Sequence, residues 1–201
     1  PAVDPINYNF STICHEFAHG LFSLPDRYDS SGACGTGGPG QYGLMSDNCS
    51  KRHLSVFDKM KIGWFQPRIL TPTSDRRCYS FPAIENTPAA VVLYSPETPN
   101  EFYIIANRHK GSSARNFESG LPESGLAVWW ADNATGDLRL VHFDDIGRIP
   151  SSYTNARAGA LFKYNPDYLP ETQLLLLQED GSFHLSLRAV SPPGALMYAE
   201  L

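Results

Sequence analysis

Hydrophobic and polar positions alternate in two different ways along the chain. In STICHEFAHGLFSL, residues 11–24, apolar side chains recur at 13, 14, 17, 18, 21 and 22, the spacing of one helix face. Ser11 or Thr12 is placed to cap that helix, and Pro25 stops it near Leu24. Six glycines and one proline between residues 30 and 50 impose a loop. A second short helix is expected after Ser55. Asp58 stands three residues beyond it, as in a capping box, and Gly63 ends the helix.

From about residue 66 the pattern shortens. Runs rich in β-branched and aromatic residues predict strands at AAVVLY (89–94), EFYIIAN (101–107), LAVWWA (126–131), LRLVHF (138–143), QLLLL (173–177) and FHLSL (183–187). Pro, Gly, Asn and Asp clusters separate them at spacings that suit a sandwich, and Glu179-Asp180-Gly181 reads as a hairpin turn between the last two. Trp129 and Trp130 are adjacent on one strand and must point to opposite faces. At least one therefore belongs to the core, which weakens a carbohydrate-stacking role for the pair.

Composition narrows the classes. The chain has 201 residues, 42% hydrophobic and 18% charged, enough to bury a core and unlike a disordered segment. No run approaches the roughly 18 uninterrupted apolar residues of a membrane span. The net charge is -5, and the basic residues are split evenly between the two halves, so no face is prepared for nucleic acid. Four cysteines are present, of which Cys34 and Cys49 flank the glycine-rich loop and are the first pair expected. No CxxC occurs, which argues against a four-thiolate zinc site.

The chemistry lies in His15-Glu16-Phe17-Ala18-His19, an HExxH sequence on the first helix. Residues four apart share a helix face, so both imidazoles can reach one metal ion, with Glu16 beside them as general base. Zinc suits such a site, because it accepts imidazole and carboxylate ligands and keeps one position for water. The sequence offers Asp26, Asp29, Asp47 and His53 as a third ligand. Asp26 is preferred, since it follows Pro25, where the chain leaves the helix and turns back.

The runs HEFAHGLFSLPDRYD, GQYGLMSDN, HLSVFDKMKIGWFQP, FYIIANRHKG and GLAVWWADN, in that order, resemble the immune inhibitor A-type zinc metallopeptidases. The resemblance implies a secreted zinc endopeptidase of metzincin type acting on proteins or peptides. His15, His19 and Asp26 would be its ligands, Glu16 its base and Met45 its methionine turn. The implied class is α+β: residues 1–66 are the zinc-helix part of a metzincin-like catalytic domain, and 67–201 an all-β, sandwich-like domain.

The chain departs from the family pattern HExxHxxGxxD at position 22, which is Phe, and Asp26 falls 11 residues after His15 instead of 10. Ala106 stands where the family often has an acidic residue. Metzincin-like domains also place a sheet before the zinc helix, and only 14 residues precede His15. The expectation is therefore the C-terminal part of a longer chain, with little activity alone. Calcium is a second candidate cation, with Asp144-Asp145 and Glu179-Asp180 as the acidic pairs considered. The competing reading is a β-sandwich binding or adhesion module carrying an inactive metal site.

Overall fold

The structure, a computed structural model, describes residues 10–28, 37–47, 49, 51–71, 77–96, 98–111, 117–141, 161, 174–176, 185–187 and 189–201. It is mixed α/β, mostly sheet, with two helices among the described residues. Helix α1 spans Phe10–Phe22 and α2 spans Val56–Lys61. None of the helices is long and apolar enough to cross a membrane.

Helix α1 turns its apolar positions two ways. Ala18 is buried with partly buried Cys14 and Phe22 against Leu24, Leu44, Met45 and Leu54. Ile13, Phe17 and Leu21 point outward and, with Phe10, form an exposed stripe. Ser11 and Thr12 lie within the helix, so neither is its cap as the sequence suggested. Helix α2 follows expectation at both ends. The Ser55 hydroxyl accepts the Asp58 N–H and donates to the Asp58 carboxylate. At the other end Gly63, at φ 75°, lets its N–H reach Met60 O while the Trp64 N–H reaches Lys59 O, a Schellman closure.

Strands β1 (Arg68–Leu70), β3 (Ala90–Tyr94), β4 (Glu101–Arg108), β5 (Gly125–Asp132) and β6 (Leu138–Val141) form one sheet in the order β1-β3-β4-β5-β6. Its pairings are antiparallel except β1 with β3. Strands β2 (Cys78–Pro82) and β9 (Leu196–Glu200) pair antiparallel, as do β7 (Leu174–Leu176) and β8 (Leu185–Leu187). All six strands expected from sequence are present. The hairpin turn at 179–181 lies outside the described residues.

Three strands carried too weak a signal to be read. Strand β1 has three residues followed by Thr71-Pro72, and β2 ends in Pro82. Strand β9 places apolar side chains on both sides, with Met197 and Ala199 buried but Leu196 and Tyr198 exposed, which hides the period of two.

The large sheet is covered on both faces. Alternate residues Val92, Ile104, Ala106, Ala127, Trp129 and Leu140 pack against Tyr42, Val56, Phe57 and Phe65 of the N-terminal segment. Their neighbours Val91, Tyr103, Ile105, Leu126, Val128 and Trp130 pack against Phe81, Met197 and Ala199 of β2 and β9. Double coverage explains the near-continuous apolar runs in β4 and β5. Both tryptophans are buried, at 1% and 4% exposure, so they cannot form a carbohydrate platform. Ala106 is fully buried in the first of these cores, a place with no room for solvated charge.

Candidate metal centre

Helix periodicity brings His15 and His19 to one face, with ring centroids 4.6 Å apart. The return of the chain supplies the third group. Ser23 adopts φ 53°, a left-handed conformation that costs a non-glycine residue about 1 kcal/mol. Its N–H bonds His19 O at 3.0 Å, closing the helix just past Phe22. Leu24 and Pro25 then carry Asp26 back over the histidines.

The three donor atoms form a nearly equilateral triangle. His15 Nε2 and His19 Nε2 each lie 3.0 Å from Asp26 Oδ1, and 3.0 Å from one another. A tetrahedral zinc shell with bonds of about 2.0–2.1 Å has edges near 3.3 Å, so this triangle matches one slightly contracted face. His15 is buried, whereas the His19 and Asp26 side chains are 30% and 42% exposed, and the site opens to solvent on their side. Among the described residues this is the single group of three or more His, Cys, Asp or Glu side chains gathered so closely.

Hydrogen bonds behind the rings assign the tautomers. His15 Nδ1 lies 3.0 Å from Leu44 O, and His19 Nδ1 lies 2.6 Å from Leu24 O. A carbonyl can only accept, so each Nδ1 carries a proton, and in its neutral form each ring presents a lone pair at Nε2. In that form two lone pairs and a carboxylate oxygen converge on one point. That arrangement is repulsive until a cation stands between them, and backbone carbonyls behind both ligands are the usual support for a metal-binding imidazole. The donor set fits zinc.

The surrounding residues brace this triangle. Met45 is fully buried in a turn closed by Ser46 N–H and Asp47 N–H on Gly43 O, and it packs in the cluster beneath α1 that includes Ala18. Met45 O accepts the Arg27 N–H at 2.9 Å, next to Asp26. The Arg27 guanidinium bonds Asp58 at 2.7 Å and Gly136 O at 2.8 Å, tying the segment that holds Asp26 to α2 and to the β5–β6 turn. Gly38 fits closely here, because an added Cβ would stand 2.5 Å from Arg27 O.

Glu16 is exposed on the helix beside His15. The Tyr28 ring lies nearly parallel to His15 at 6.2 Å. A hydrogen bond to Asp26 chiefly raises the Tyr28 pKa, with burial and the charges of Asp26 and Glu16 adding to it.

Other candidate ligands are used elsewhere. Asp47 is buried in an ion pair with Arg52 at 2.7 Å and accepts the Cys49 N–H. The His53 ring packs against Phe117, and burial pushes its pKa down to about 4. Asp29, Asp144-Asp145 and Glu179-Asp180 lie outside the described residues. Cys49 is disulfide-bonded, and Cys14 and Cys78 are free thiols; Cys34 lies outside the described residues.

Sequence reasoning missed Ser23, Tyr28 and the two carbonyls. Pro25 signals one of them, since it forces Leu24 into an extended conformation and frees its carbonyl from the helix. Leu44 comes from 29 residues beyond His15 and had no local signal. No protein-family model, curated protein or solved structure matches the chain.

Proposed function

We propose that the chain carries the active site of a secreted zinc endopeptidase, with His15, His19 and Asp26 as ligands and Glu16 as general base. The observation that carries this reading is the triangle of three lone-pair donors, with both histidines locked from behind by backbone carbonyls. Zinc in such a site supplies a Lewis acid and a water acidic enough to attack a peptide carbonyl near neutral pH. Glu16 takes the proton of the attacking water and delivers it to the leaving amine. Its exposure fits that duty, because a ligand would be tied down and a base must meet solvent and substrate.

The finer fold reading is a metzincin-like catalytic portion over 1–66 followed by a β-sandwich-like domain over 67–201. Two observations support it: buried Met45 lies under the zinc helix, and the outer stripe of α1 offers Phe10, Ile13, Phe17 and Leu21 to a covering sheet. The disulfide at Cys49 supports an oxidising, extracellular setting.

Zinc content per chain tests the site. One zinc in the wild type, lost in His19→Ala and weakened in Asp26→Ala, is expected. Glu16→Gln should keep its zinc and lose hydrolysis by about 10²-fold or more. Folded wild type without zinc, or Glu16→Gln with undiminished hydrolysis, refutes the proposal.

A further inference from the structure

We infer that the buried pair Arg108–Glu118, on the sheet side of the molecule, positions the metal ligand His15 through the backbone of Tyr42, Leu44 and His53. This rests on the metal-site reading above. Arg108 and Glu118 are 1% and 0% exposed. The guanidinium grips the carboxylate with Nη2 at 2.8 and 2.6 Å from its two oxygens and Nε at 3.1 Å from Oε2.

Each partner also reaches the same loop. Arg108 Nη1 donates to Tyr42 O at 2.6 Å, and Glu118 Oε1 accepts the His53 N–H at 3.1 Å. Leu44 lies between those two anchors. Its N–H bonds His53 O at 3.0 Å, and its own carbonyl receives His15 Nδ1 at 3.0 Å. An unbroken path of hydrogen bonds therefore runs from strand β4 to the back of the first metal ligand.

The segment needs such anchors because its described residues have little regular structure of their own. It holds a single 3-10 turn, Gly40–Tyr42, and the tight turn around Met45. Nor does stability alone account for a buried ion pair, since well-packed apolar residues of similar volume generally serve as well or better. The guanidinium fork and the carboxylate can hold two backbone groups at fixed separation, which apolar side chains cannot do. Arg108 and Glu118 are accordingly positioning residues and not ligands.

The test replaces the pair without leaving a buried charge. Arg108→Met with Glu118→Leu keeps the core filled and removes both anchors. Met197→Ala, on the opposite face of the sheet, serves as a control for lost stability. Zinc affinity and the visible spectrum of the Co(II)-substituted protein are measured for each, with folding checked by circular dichroism. The double variant should bind zinc about 10- to 100-fold more weakly, as expected when support behind a ligand is lost, with an altered Co(II) band. Met197→Ala should match the wild type in both readouts.

Wild-type affinity and spectrum in the folded double variant overturn the inference, and so does an equal loss in Met197→Ala. Absence of Co(II) and zinc binding in the wild type would instead remove the metal reading itself, and the inference with it. Should the double variant not fold, Arg108→Lys replaces it. That variant keeps the charge but cannot span Glu118 and Tyr42 O together, so an affinity within about twofold of wild type overturns the inference.

Discussion

Asn107 and Arg108 are consecutive on β4, yet they serve opposite sides of the sheet in different ways. Asn107 Nδ2 donates to Phe81 O and Gly194 O, both at 2.9 Å, fastening the β2–β9 ribbon and the chain that enters it. That ribbon pairs its own two strands at five positions and packs on the sheet through apolar side chains. Arg108 faces the side of the His15, His19 and Asp26 cluster, where the described residues of the covering segment are largely irregular. There the backbone is held by buried charge: Arg108–Glu118, Arg52–Asp47 and Arg27–Asp58. Regular strands bring their own hydrogen-bond partners, whereas a buried loop must obtain them from side chains. The face beside the His15, His19 and Asp26 cluster is thus the one held by ion pairs.

This contrast is broken most directly by comparing Glu118→Ala with Met197→Ala. The first strands the Arg108 charge in the interior and should cost about 3–5 kcal/mol. The second opens a cavity in the other core and should cost about 2–5 kcal/mol. Urea unfolding should show losses of similar size, while zinc binding should fall only in Glu118→Ala. Equal metal loss in both would mean the two faces are not separable.

Acid should also act on the metal side first. Burial, with help from the charges of Lys59 and Arg108 and against that of Glu118, lowers the His53 pKa from 6.5 to about 4. Between those values the unfolded chain binds the proton and the folded chain does not, so stability declines as pH falls through that window. The loss attributable to His53 is as much as about 3 kcal/mol. In His53→Gln, measured without metal by urea unfolding at pH 7 and pH 4.5, the decline should be shallower than in the wild type by that share. Identical slopes would show that His53 is already solvated.

A smaller effect is expected at the turn that delivers Asp26. Ser23→Val places a β-branched side chain at φ 53° and should cost about 1–2 kcal/mol. Zinc affinity should weaken with it, because Asp26 lies just past the distorted turn. Ser23→Gly should retain zinc. A Val variant with unchanged stability and affinity would show that the turn does not set the ligand.

Much of this was legible locally. The shared face of His15 and His19, the second helix with both its ends and six strands follow from spacing, capping residues and apolar runs. Asp26 could be chosen because Pro25 forces a reversal within reach of His19. By contrast, the apolar pattern of α1 could not reveal that Ile13, Phe17 and Leu21 face away from the core. A helical repeat marks faces, and only packing selects which of them is covered. Asp47 and His53 show the same limit: their residue types suit a metal, but buried neighbours had already engaged them.

Sequence by itself determined that two imidazoles four residues apart would share one face of a helix, since helix geometry needs no knowledge of the rest of the fold. Tertiary structure alone decided which lone pairs they present. The carbonyl behind His15 belongs to Leu44, held by a pair from β4 and the turn at residue 118. Such partners lie tens of residues apart along the chain, and neither spacing nor composition encodes a distance that exists only once the sheet has formed.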